Sequence, residues 1–369
     1  MDVSLIRVPK GLEGVIFTET KISKIDGAKG ILVYRGYDAT ELAALPFERV
    51  AYLLLFGDLP DTSQLSDFSK QLRSNRTIPD RVVDFLKSAP TDADPLSVLR
   101  TATSMIGMYS RDPTSEKDAG ISLTAKFPTM IAYYNRVRNN LALIEPEEDL
   151  SHAENYLHMI SGKVPSNENV AALNSYLTLL ADHGMNASTF SCRVTISTLS
   201  DMYSAIVAAI GTLKGPLHGG APSQVWDMLK EIGNRSKSKP WLEERIESGG
   251  RIMGFGHRVY RTQDPRSRVL KQIAKRIADP SIFELASEVE EDARSLLQAK
   301  HPERPLDTNV EFYSSLVLDA IGIPTDMFTP TFACGRVVGW TANALEQLSD
   351  NRLVRPTSEY VGPEGLTII

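Results

Sequence analysis

A chain of 369 residues, 42% hydrophobic and 23% charged, has the composition of an ordinary globular protein and is longer than a single core usually grows, so it is expected to fold fully, as two domains. The formal net charge of -6, without a run of Lys and Arg long enough to follow a phosphate backbone, excludes a nucleic-acid surface. Met1 to Gly14 has no basic stretch leading into an apolar segment, and the longest apolar runs, Leu53 to Phe56 and Ala205 to Ile210, are too short to cross a membrane, so neither a signal peptide nor a span is expected.

The first forty residues read as strand and turn: Val15 to Thr20, Ile22 to Ile25, a turn at Asp26-Gly27, and Ile31 to Tyr34. This is the β region of the chain. From Phe47 the pattern is helical, with Val50 to Phe56 closed by Gly57 and Pro60. Leu65, Phe68 and Leu72 mark one apolar helix face. Leu96, Leu99, Ala102, Ile106 and Tyr109 mark another, started by Asp94 as N-cap and Pro95 at the first helical position.

Short helices punctuated by Gly and Pro are expected from there to the end. No alternation of strand and helix suggests a parallel sheet, so the fold is predicted to be mainly α with a small β region near the N-terminus. Breaks fall at Gly211 to Ser223, Gly233 to Pro240 and Lys300 to Asn309, the first and last being candidate domain boundaries. The charged stretch Glu284 to Arg294 reads as a solvated helix face. Cys192 and Cys334 stand without Cys-x-x-Cys partners and read as small buried hydrophobes of a protein in the reducing cytoplasm.

Three histidines lie in segments suited to a small anionic ligand. Lys214-Gly215-Pro216-Leu217-His218-Gly219-Gly220-Ala221 runs into a helix-like stretch, Gln224 to Ile232, whose N-terminus favours an anion or a developing oxyanion; a histidine in a tight turn is the plainer alternative. Gly254-Phe255-Gly256-His257-Arg258-Val259-Tyr260-Arg261, followed by Asp264-Pro265-Arg266, sets an imidazole beside three arginines. An arginine fork matches a carboxylate and an imidazole is a general acid near neutral pH, so this segment can hold a polyanion next to acid-base chemistry. It lacks the third glycine and the preceding parallel strand of a dinucleotide fingerprint.

His183, after the apolar stretch Tyr176 to Leu180, reads equally as a helix-end cap. Glu311, in Thr308-Asn309-Val310-Glu311-Phe312-Tyr313, opens a helix bearing Leu316, Val317, Ala320 and Ile321, where a carboxylate ordinarily serves the helix dipole. His152, His158 and His301 read as structural or exposed. Metal-site spacing, a Gly-x-Ser-x-Gly elbow and a phosphate loop are all absent from the sequence, which leaves metal, serine-hydrolase and nucleotide-triphosphatase readings unsupported.

Taken in order, these segments closely resemble the citrate synthase family in its short bacterial and archaeal form. The resemblance covers nearly the whole chain, from Ile25-Asp26-Gly27 and Tyr34-Arg35-Gly36-Tyr37 to Arg355-Pro356. Its most specific part is the pair Gly-Pro-Leu-His-Gly-Gly-Ala and Gly-Phe-Gly-His-Arg-Val-Tyr, whose histidines are 39 residues apart. The resemblance implies an almost wholly helical two-domain fold: a large domain of 1–215 and 317–369, and a small, mobile CoA-binding domain of 216–316. It implies a homodimer in which Arg355 reaches the partner subunit's active site.

It further implies condensation of acetyl-CoA with oxaloacetate and hydrolysis of the thioester to citrate and CoA, with neither metal nor cofactor. Under it, His183, Arg266 and Arg336 bind oxaloacetate, while Gly250, Arg251, Ile252, Met253, Gly254 and Arg261 bind CoA. Glu311 and His218 form the enol, and His257 polarises or protonates the oxaloacetate carbonyl. Domain closure would exclude water until condensation is done.

This sequence departs from the family where most members have aspartate in place of Glu311. A carboxylate moved by about 1 Å can lose roughly a hundredfold in rate unless the site compensates. Two rival readings follow: 2-methylcitrate synthase, the same residues acting on propionyl-CoA, and a weakly active paralogue that binds CoA or dicarboxylates.

Overall fold

A computed structural model describes residues 6–110, 115–219, 221–303 and 306–368. The β region is a three-stranded antiparallel sheet: β1 (Ser23–Asp26), β2 (Ile31–Tyr34) and β3 (Tyr37–Asp38), with Asp26 opposite Ile31 and Tyr34 opposite Tyr37. Val15 to Thr20, expected as a strand, is not one. A strand needs a neighbour for its backbone groups, and here Val15 and Ile16 lie exposed while Phe17 packs edge-on against Phe190.

Sixteen α-helices follow among the described residues. The first are α1 (Ala39–Leu42), α2 (Phe47–Phe56), α3 (Thr62–Ser74), α4 (Asp80–Ser88) and α5 (Pro95–Tyr109), of which α2 and α5 begin where the sequence marks them. Asp61 and Gln64 form a capping box, and Asp94 accepts the Ser97 N–H with Pro95 at the first position. Gly57 ends α2 at φ 102°, a conformation that favours glycine. Next come α6 (Glu116–Arg138), α7 (His152–Ser161), α8 (Asn167–Leu180), α9 (Ala187–Ser197), α10 (Met202–Leu213) and α11 (Ala221–Ile232). The chain ends with α12 (Ser238–Glu247), α13 (Pro265–Ile277), α14 (Pro280–Lys300), α15 (Val310–Ala320) and α16 (Phe328–Ser349).

Several expectations need correction. The helices are not uniformly short: α6, α14 and α16 have 23, 21 and 22 residues. α6 runs through Pro128, because residues on all its sides are buried and packing outweighs the lost hydrogen bond. The break at Gly211 begins later, since α10 continues to Leu213, and the break at Gly233 ends at Ser238, with Pro240 in the first turn of α12. The stretch Glu284 to Arg294 is not wholly solvated: Ala286, Val289, Glu290 and Ala293 form a buried stripe at helical spacing.

α16 is the central helix, buried along nearly its whole length and packed on α2, α6, α8, α9 and α10. At Gly339 a Cβ would overlap the carbonyl oxygen of Ala181, so the missing side chain lets α16 close on the corner that carries His183. α11 and α13 pack on α15, and α12 packs on α14; α8 touches both α13 and α15. Both cysteines are buried free thiols. Among the described residues, no helix is long and apolar enough to cross a membrane.

Candidate active site

The corner after α8 is built without help from the His183 ring. The Asp182 carboxylate accepts from Gly184 N–H (3.0 Å), Asn343 Nδ2 (3.0 Å) and the Ser23 hydroxyl. Tyr34 Oη donates to the carbonyls of Asp182 (2.8 Å) and Leu179 (3.1 Å), and Arg336 Nε donates to Leu180 O (2.6 Å). With the helix end satisfied, His183 is not its cap. Its Nε2 lies 3.2 Å from Tyr260 Oη, and its ring centroid 5.2 Å from that of His257.

His257 sits in a loop whose flanking glycines, Gly254 and Gly256, take φ of 81° and 76°. The N–H groups of Val259 (2.9 Å) and Tyr260 (3.1 Å) both donate to His257 Nδ1. An Nδ1 that accepts is unprotonated, so the neutral ring carries its proton on Nε2 and offers it as a donor.

His218 is set by a different element and takes the opposite tautomer. The Ser188 N–H donates to its Nε2 (3.3 Å), and Ser188 Oγ, which accepts from Trp340 Nε1 (3.0 Å), lies 2.8 Å from the same atom. Nε2 is therefore the acceptor and Nδ1 carries the proton. Gly220 of the same segment lies outside the described residues.

Two buried guanidinium groups face these rings. Arg266 opens α13, where the Asp264 carboxylate is N-cap and also holds its Nε (3.0 Å) and Nη2 (2.8 Å) as a fork. Arg336 projects from α16 over the Phe332 ring, 4.6 Å from the centroid. Burial lowers Arg336 to about 10, whereas for Arg266 the pair with Asp264 overcomes burial and raises the guanidinium further.

Glu311 starts α15. Asn309 caps that helix by accepting the Glu311 N–H (3.1 Å), while its Nδ2 donates to Gly256 O (3.0 Å). Asn309 N–H donates to Gly254 O (2.9 Å), and Gly256 N–H to Asp307 O (2.9 Å). The start of α15 and the His257 loop thus form one unit. Burial raises the Glu311 carboxyl above its ordinary range, against the pull of Arg266.

Burial also pushes His218 and His257 down to about 4, with Arg336 and Arg266 respectively adding to it, and lowers His183 well below its ordinary value. All three imidazoles are neutral at neutral pH. His183, His218, His257, Glu311, Arg266 and Arg336 are therefore one electrostatic cluster that offers two guanidinium forks, two oriented N–H donors and a basic carboxylate.

Of the remaining candidates, Gly254 belongs to the His257 loop and is tied to Asn309. Gly250, Arg251 and Ile252 line a cavity of about 240 Å³ with Phe255, Lys300 and His301. Met253 is half-buried and Gly254 buried beneath Phe312. Arg261 is exposed, its N–H donating to Gly27 O (2.8 Å), and Arg355 is exposed in the segment after α16. Tyr260, Asp264, Asn309, Ser188 and Trp340 received no role from the sequence. Tyr260 stands in the His257 segment and Ser188 in the His183 segment, and Asp264 and Asn309 carry helix-cap signals; Trp340 has no such signal.

The chain is similar to known proteins over nearly its whole length. A family model described as the citrate synthase C-terminal domain matches residues 11–357. A citrate synthase of Deinococcus radiodurans is 42% identical over 361 residues, 96% of each chain. A 2-methylcitrate synthase of Shewanella oneidensis is 37% identical, over 95% of this chain and 94% of its own. The structure of the Thermoplasma acidophilum citrate synthase in ternary complex with carboxymethyl coenzyme A and oxaloacetate superposes with TM-score 0.92 at 32% identity, covering 98% of both chains.

Proposed function

This chain belongs to the citrate synthase family, and from that membership we propose that Glu311, His218 and His257 carry the chemistry while His183, Arg266 and Arg336 hold oxaloacetate. The protein is a citrate synthase, a transferase that joins acetyl-CoA to oxaloacetate and releases CoA. The observation that carries the assignment of roles is the opposite tautomers of the two catalytic imidazoles, each fixed by backbone N–H groups.

Two buried guanidinium groups complement a dicarboxylate, and a neutral His183 adds a hydrogen bond without adding charge. Glu311 takes a proton from the acetyl methyl group; its raised pKa makes it a stronger base than an exposed glutamate. His218 Nδ1–H stabilises the enol oxygen that forms as that proton leaves. The enol carbon then bonds to the oxaloacetate carbonyl carbon, and His257 Nε2–H donates to the oxygen that gains the electron pair. Water cleaves the resulting thioester, releasing CoA. Acid, base and oxyanion donors all come from protein groups, so this reading invokes no cofactor or metal.

The stretch Gly250 to Gly254, with Arg261, is the CoA site in this reading, and the small domain is 216–316, moving against a large domain of 1–215 and 317–369. The functional unit is a cytoplasmic homodimer in which Arg355 completes the partner's oxaloacetate site. A 2-methylcitrate synthase activity is the second reading, kept because of the match to the Shewanella enzyme. One methylene is worth only about 1–3 kcal/mol in an apolar pocket. Release of CoA, followed with acetyl-CoA or propionyl-CoA at saturating oxaloacetate and with chelator present, tests the activity and the acyl preference. The expected kcat/KM is higher for acetyl-CoA, and Glu311→Gln is expected to lower kcat by about 10²–10⁴. Preference for propionyl-CoA would select the second reading, and unchanged turnover of Glu311→Gln would remove Glu311 as base.

A further inference from the structure

The charge run on α14 hides a carboxylate that is not solvated. Glu290 is 3% exposed. Its Oε2 accepts from Lys271 Nζ and from Tyr313 Oη (2.6 Å), and its Oε1 from Thr308 Oγ1 (3.1 Å) and, at the rim, from Arg294 Nη2 (3.4 Å). Thr308 Oγ1, having given its proton to Glu290, accepts from Ser267 Oγ (3.1 Å). Burying a carboxylate is costly unless its lone pairs are matched, and donors from α13, from the segment before α15, from α14 itself and from α15 match them here.

Two of those donors, Tyr313 and Thr308, and Ser267 behind Thr308 stand beside residues of the site. Ser267 follows Arg266, Tyr313 is two positions beyond Glu311, and Thr308 precedes the cap Asn309. Thr308 is the junction. Its neighbours Asp307 and Asn309 are hydrogen-bonded to Gly254 and Gly256, and Thr308 itself bridges Phe255, so the His257 loop moves with it. Burial acts to raise the Glu290 carboxyl, but its donors, led by Lys271 and Tyr313, outweigh burial and keep it ionised. An anion of that kind can accept from all of them at once, which neither a glutamine nor an apolar residue can do.

We propose that Glu290 is a positioning residue for the condensation, fixing through Thr308 the distance between the Arg266 anchor on one side and the Glu311–His257 pair on the other. The proposal rests on the roles given to Arg266, Glu311 and His257 above. A displacement near 1 Å at that junction leaves the carboxylate-binding groups in place and moves the reacting groups, an error that costs on the order of a hundredfold in rate.

The test compares Glu290→Gln, Thr308→Val and Thr308→Ser in the full-length enzyme, with Glu311→Gln alongside. Thr308→Val and Glu290→Gln are expected to lower kcat by about tenfold or more while the KM for oxaloacetate stays within about threefold. Thr308→Ser, which keeps the hydroxyl, is expected to keep kcat within about threefold, and the double variant Glu290→Gln/Thr308→Val to be no slower than the worse single one. Should Glu290→Gln not fold, Thr308→Val against Thr308→Ser decides the matter. Wild-type kcat in Thr308→Val, even with a lowered melting temperature, overturns the proposal while leaving the assigned chemistry intact. Full turnover in Glu311→Gln overturns the base assignment and the proposal with it.

Discussion

Three imidazoles share this site with two guanidinium groups, and both burial and the neighbouring positive charge oppose a proton on each ring. Glu311 moves the other way, its burial favouring the protonated acid. In the proposed mechanism the working form has Glu311 ionised and His218 and His257 neutral, so lowering the pH protonates Glu311 first. The acid limb of log kcat is expected to have unit slope and an apparent pKa above the ordinary glutamate value of about 4.3, with His218 and His257, at about 4, joining only below it. A limb near the ordinary imidazole value that survives in Glu311→Asp would contradict this order. At this scale the sequence revealed residues that stand in glycine- and arginine-bearing motifs. It concealed Ser188, Trp340 and Glu290, because each acts through partners on other elements, and a charge run looks alike whether its members are solvated or paired.

Among the elements, the β1–β2 turn has a larger part than its size suggests. Gly27 is seated so closely on the His257 loop that a Cβ would overlap Val259 O, and a Cβ at Gly30 would lie 2.9 Å from Gln263 O. The Arg261 N–H donates to Gly27 O (2.8 Å), so hairpin and loop are in backbone contact at the residue next to Tyr260. Gly30 has φ of 64°, which strains any replacement, whereas Gly27 is not in the left-handed region and reports on the contact alone. Gly27→Ala is therefore expected to push the loop outward and reduce kcat by about tenfold or more, with a melting temperature within a few degrees of wild type. Gly211→Ala, with nothing nearer than 3.8 Å, is the control and is expected to be as active as wild type. Activity of Gly27→Ala equal to that control would mean that the loop needs no support from the hairpin. The strand pair, the cap at Asp94 and the stop at Gly57 were legible because each is local. Val15 to Thr20 was misread because a strand is decided by its neighbour, which periodicity does not report.

For the molecule as a whole, the isolated chain leaves apolar side chains in water at both ends. Ile6, Val8 and Ile16 on the N-terminal arm and Leu353, Val361 and Leu366 on the C-terminal arm are all more than half exposed, and an ion pair between Arg7 and Glu359 holds the arms together. Arms of this kind are covered when a second copy packs on them. Arg355 lies on the C-terminal arm and is exposed. In the proposed dimer each site takes His257 from one subunit and Arg355 from the other, and that arrangement has a consequence no single-subunit site shares. Arg355→Ala and His257→Ala homodimers should each be nearly inactive. In a mixed dimer, the subunit bearing Arg355→Ala keeps its own His257 and receives Arg355 from its partner, so one of its two sites is whole. Unfolded together in equal amounts and refolded, the two variants should recover about a quarter of wild-type activity, since half the dimers are mixed and half of their sites are complete. No recovery, with dimers present by light scattering, would place Arg355 in its own subunit's site, and one-quarter recovery would assign it across the interface.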